Sequence, residues 1–74
     1  MSIKEAMYNT ALAEFHSQRD KAIATARIYL EHPVGIGEHP QVIDEFIKQI
    51  KIAAESEEAA SMLVDTFRDE IAQE

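Results

Sequence analysis

Two copies of one triplet, Glu31-His32-Pro33 and Glu38-His39-Pro40, bracket Val34-Gly35-Ile36-Gly37, and both glycines and both prolines of the chain lie in this stretch. Imidazoles beside carboxylates are the raw material of acid–base catalysis and of metal ligation. Neither chemistry finds a complete set of residues. A structural zinc site needs four ligands and a catalytic site three. The third histidine, His16, is separated from the triplets by helical sequence that places it roughly 22 Å away along a helix axis. Nucleophilic catalysis needs a base within hydrogen-bond reach of a hydroxyl. Ser17 is adjacent to His16, and neighbours on a helix point about 100° apart. The expectation is therefore no catalytic residue, no metal and no cofactor.

Anion binding fits the same stretch better. Gly35 and Gly37 allow a ligand close to the backbone. A helix starting at Pro40 would offer free amides and a positive dipole end to an anion. Arg27, Tyr29, His32 and His39 are near enough in sequence to add charge and a stacking face, whereas Glu38 adds an opposing charge. A rigid glycine turn with a proline at each helix end accounts for the same residues without any ligand. Arg19 is a further candidate. Folding the chain about residue 36 brings it within one turn of Glu57, so it either forms a register-setting ion pair or reaches an anionic ligand between subunits.

The elements that must position these residues are two helices. Ser2-Ile3-Lys4-Glu5 is a capping box. From Ile3 to Glu31 there is no glycine or proline, and Tyr8, Leu12, Phe15, Arg19, Ala22, Ala26 and Tyr29 recur at alternating steps of four and three. That spacing predicts a helix with a heptad seam carrying one polar member. Pro33 disfavours helical dihedrals at His32, and Pro40 suits the first position of a new helix with His39 as its N-cap. The second seam is expected at Ile43, Phe46, Ile50, Ala53, Glu57, Ala60, Val64, Phe67 and Ile71. The prediction is an all-α single domain over residues 1–74: helix about 2–31, turn 32–39, helix about 40–72, forming an antiparallel two-helix hairpin. Ile28 and Ile52 fall off the two seams. Such surplus aliphatics are either scattered surface residues or a second interface that joins identical hairpins into a bundle.

Size and charge narrow the classes. A chain of 74 residues without cysteine lacks disulfides and thiolate metal sites. A core this small needs support, and self-association remains, so a homo-oligomer is expected. No apolar run exceeds three residues, far short of the about 20 of a membrane span. The opening MSIKEAMYNT lacks the apolar stretch of a signal peptide, and a cytosolic protein is expected. The net charge of −7 arises wholly in residues 38–74. That excludes a nucleic-acid polymer as partner, since its backbone needs a basic stripe.

The stretch YLEHPVGIGEHPQVIDEFIKQIKIAAESEEAASMLVDTF, Tyr29 to Phe67, resembles a group of short tailed-bacteriophage proteins sharing a core like Y-L-x-x-P-V-G-I-G-E-H-P followed by an acidic helix. The resemblance implies a phage protein acting in the host cytoplasm and carries over no catalytic residue. By analogy with small oligomeric phage proteins that sequester the nucleotide signals of bacterial immunity, it points to a non-enzymatic sponge. Arg19, Arg27, Tyr29, His32, Gly35, Gly37 and His39 would hold a small anionic nucleotide-type ligand between subunits. The alternative is a helical accessory of virion assembly, or an inhibitor that binds a host protein through its acidic surface.

Overall fold

A computed structural model describes residues 2–32 and 40–73, and these form two helices, α1 (Ile3–Glu31) and α2 (Pro40–Ala72). Ser2 caps α1, its hydroxyl accepting from the Glu5 amide at 3.1 Å. At the other end the His32 amide donates to the Ile28 carbonyl at 3.1 Å, the last bond of the helical ladder. His32 itself, at φ −128° and ψ 63°, has left the helix, as a residue before proline does. Pro40 stands first in α2, where its missing amide costs nothing. Gly35, Gly37 and the expected N-cap His39 lie outside the described residues.

The helices pack against each other in antiparallel fashion: Tyr8 and Ala11 near the start of α1 share a cleft with Phe67 and Ile71 near the end of α2, and Arg19 meets Glu57 midway. The layer between them is thin. Among the described residues its buried members are Ala22, Ala26, Ala53, Ser56 and Ala60, and no large side chain is fully buried. Around them Tyr8, Leu12, Phe15, Tyr29, Phe46, Leu63 and Val64 are half-buried. Small residues facing small residues let two helix axes come close, but each buried methyl contributes only about 0.8 kcal/mol against 1.5–3 kcal/mol for a larger aliphatic side chain. Ser56 fits this layer because its hydroxyl donates to the Ile52 carbonyl at 2.8 Å and brings no unsatisfied group inside.

On α1 the expected seam is the one that is covered. On α2 it is turned by part of a revolution. Ile43, Ile50, Glu57 and Phe67 are exposed, while Val42, Gln49, Ser56 and Leu63 take the inward positions beside Phe46, Ala53 and Ala60. Ile52, expected to lie off the seam, is half-buried, whereas Ile28 is exposed as expected. The alanine layer is the physical reason. A close approach at Ala22 and Ala26 requires small partners, and Ala53, Ser56 and Ala60 form the only row on α2 that supplies three of them in register.

The result is a rod with extents of 56 × 18 × 14 Å and a radius of gyration of 16.7 Å, against about 11 Å for a compact domain of this length. Its accessible surface is 5636 Å². A compact monomer of the same mass exposes about 4,600 Å².

Candidate functional site

Arg19 is the most engaged ionic group. Its Nη1 donates to Glu57 Oε2 across the hairpin at 2.7 Å, and its Nε donates to Asp20 Oδ1 at 2.9 Å. The hydrogen bond from Arg19, supported by its positive charge and that of nearby His16, holds the Asp20 carboxyl below the usual carboxylate range. The two carboxylates in turn hold the guanidinium above its ordinary value. Glu57 keeps a side-chain exposure of 55%, so the pair lies at the rim of the seam and not within it. Arg19 thus ties the helices in register and spends two donors on protein carboxylates.

This geometry carries a pH signature. A carboxyl depressed in the folded state adds stability that is present above its unfolded pKa of about 3.9 and is lost as pH falls through the lower folded value. We expect the melts of the wild type and Asp20→Asn to differ above pH 4 and to converge toward pH 2. The gap should close in high salt because the pair is solvent-exposed. A difference that persisted at pH 2 would assign the effect to packing instead.

The remaining expected ligand residues do not converge with Arg19. Arg27 is exposed and makes no ion pair among the described residues, Tyr29 is half-buried in the seam, and His32 is exposed past the end of α1. Gly35, Gly37 and His39 lie outside the described residues, so the anion pocket expected at the turn is not delineated. Among the described residues no three histidine or carboxylate side chains gather as a metal site would require. No described helix is long and apolar enough to cross a membrane.

One feature was missed at the sequence level, and another was anticipated only as surplus aliphatics, with Ile28 and Ile52 named for it. The first is a cleft of about 350 Å³ at the end away from the turn, walled by Met7, Tyr8, Ala11, Leu63, Phe67 and Ile71, with Lys4 and Glu70 contributing one charge of each sign. None of the expected ligand residues lines it. Its signal was the bulky pair Met7 and Phe67 at the end of the hairpin away from the turn. The second is a face. Arg19, Ile23, Arg27 and Leu30 follow one another on α1 at steps of four, four and three. Ile43, Ile47, Ile50, Ala54 and Glu57 do so on α2 at steps of four, three, four and three. Each row therefore keeps to one side of its helix. The Arg19–Glu57 pair joins the two rows, which places them on the same side of the hairpin. From that pair toward the turn the face is aliphatic, with Ile23 38%, Leu30 65%, Ile43 46%, Ile47 46% and Ile50 47% exposed. Toward the termini the same rows continue as Glu5, Asn9, the half-buried Leu12 and His16 on α1 and Ser61, Asp65 and Arg68 on α2. Arg27 is the lone charge of the aliphatic half.

Fold and face together define a helical hairpin with an exposed apolar surface on one half of one side. No protein family, curated protein or solved structure compared with the chain matches it.

Proposed function

We propose that the chain is a non-enzymatic, phage-encoded binding protein that works as a homo-oligomer of hairpins and sequesters a small nucleotide-derived signal. The observation that carries self-association is the set of aliphatic side chains exposed on one half of one side, in a hairpin whose surface exceeds that of a compact monomer by about 1,000 Å². Support for an anionic ligand comes from Arg27, a cation with no ion-pair partner among the described residues and set on that aliphatic half. Its guanidinium can meet a phosphate with two parallel donors, whereas Tyr29, two residues on, turns into the seam and away from it. Arg19 contributes less than expected to such a site because two carboxylates already hold it.

A second function is favoured by the same face. Five exposed aliphatics suit a protein partner at least as well as a ligand, and the acidic excess of α2 selects a basic one. In that case the chain is a helical accessory of virion assembly or an inhibitor of a host protein. Native mass spectrometry of the protein taken directly from infected cells separates the two. A sponge appears as an oligomer with a retained small molecule. A stoichiometric second polypeptide and no small molecule would replace the sponge with the accessory or inhibitor.

A further inference from the structure

We infer that the aliphatic half-face, Ile23, Leu30, Ile43, Ile47 and Ile50, is the surface on which a second copy of this chain docks. This rests on the homo-oligomer proposed above and names its interface. Five half-exposed aliphatic side chains make a patch on the order of 400 Å², a size at which the largest patch on a monomer is often an interaction site. Such a patch would form the apolar centre of an interface that covers about 800 Å² per partner in all.

The charge pattern of the two rows is compatible with a second copy. The two rows contain no carboxylate between the Arg19–Glu57 pair and the turn, although the chain carries 14 acidic residues. Of the described carboxylates of that half, Asp20, Asp44, Glu45 and Glu55 lie off the rows, and Glu31 stands at the rim, one turn from Arg27. Two copies can therefore meet here without opposing their acidic surfaces. Arg27 stands beside the patch, where its stem can cover apolar surface while its head stays in water. The interior of the hairpin supplies the need: its buried layer is four alanines and a serine, and the bulky aliphatics that would make a larger core are on this face instead.

The test uses Ile43→Ala with Ile50→Ala in the full chain. Both positions are exposed in the single hairpin, and alanine is the better helix former, so the variant retains the means to fold. In sedimentation equilibrium the wild type is expected to associate, and the double variant to raise the dissociation constant at least about a hundredfold. Ile28→Ala and Met62→Ala, at exposed positions off both rows, are expected to change it less than about threefold. Helicity read by circular dichroism at concentrations where each form is assembled controls for folding. A wild type that is fully helical and monomeric at micromolar concentration would overturn the oligomer itself. An oligomer that survives the double variant but dissociates on Met7→Ala with Phe67→Ala would leave the oligomer standing and move its interface to the cleft at the other end. To guard against a misfolded variant, spin labels are placed at Ala54→Cys and, separately, Met62→Cys in the cysteine-free chain. The first is expected to give the shorter intersubunit distance, and the reverse order would overturn the assignment.

Discussion

Replacing Ser56 with leucine is expected to lower the melting temperature by roughly 5–15 °C, while leucine at the adjacent Glu57 leaves it nearly unchanged. Ser56 is 5% exposed and stands in the alanine layer, where the close approach of two helices leaves no room for two more heavy atoms. Overpacking of this kind costs about 1–3 kcal/mol, and in a domain of this size each kcal/mol moves the melt by about 4–8 °C. Glu57 is one residue further on and exposed, so leucine there loses only an ion pair at the rim. The contrast tests the rotation of α2 directly. If the helix instead buried the row through Ile50 and Glu57, leucine at 57 would be the tolerated or stabilising substitution for a packing reason, and Ser56→Leu would sit harmlessly in solvent. Melts monitored by circular dichroism at one fixed protein concentration decide between the two, since association makes the midpoint depend on concentration.

The proposed ligand predicts the other large effect. A molecule that binds only the folded oligomer stabilises it by about 2.7 kcal/mol at a hundredfold excess over its Kd, which corresponds to a rise of roughly 10 °C or more. A panel of cyclic dinucleotides, cyclic ADP-ribose isomers and other ADP-ribose conjugates is expected to contain at least one such stabiliser. Arg27→Ala should abolish that shift and leave the unliganded melt almost where it was, because Arg27 is exposed and unpaired among the described residues. Arg19→Ala is a cleaner companion than the sequence indicated. Glu57, its partner, is open to solvent, so the substitution strands no buried charge. If Arg19→Ala also removed the shift, Arg19 would be a ligand residue. If it left the shift intact, Arg19 is a register tie alone. A panel without any stabiliser, combined with one stoichiometric protein in a pulldown from infected cells, would falsify the sponge.

The hairpin and the α1 seam were legible because their signals are local. An uninterrupted stretch from Ile3 to Glu31, a capping serine and a four–three spacing admit one solution, and fold-back about residue 36 is enough to bring Arg19 to Glu57. The α2 seam was not, for a physical reason. Val42, Ile43, Phe46, Ile47, Ile50, Ile52 and Ala53 cover most of the circumference near the turn, so two neighbouring rows have nearly equal apolar content. What separates them is side-chain volume against Ala22 and Ala26, a property of the pair of helices and invisible in the periodicity of one. The same ambiguity hid the aliphatic face: Ile43 and Ile50 were assigned to the interior that they in fact flank. The ligand residues at the turn were chosen from turn chemistry. Of these the described structure places Arg27, Tyr29 and His32 near the end of α1 without bringing them to Arg19.

The extents of the rod have a hydrodynamic consequence. A body more than three times longer than it is wide drags more water than a sphere of equal mass, so one hairpin elutes from a sizing column ahead of a compact protein of its mass. Partners stacked side by side thicken the rod and hardly lengthen it, which brings the particle nearer to a sphere. Assembly through the aliphatic half-face would therefore raise the sedimentation coefficient sharply while shifting the elution volume little. Elution position alone understates the change, and the frictional ratio records it.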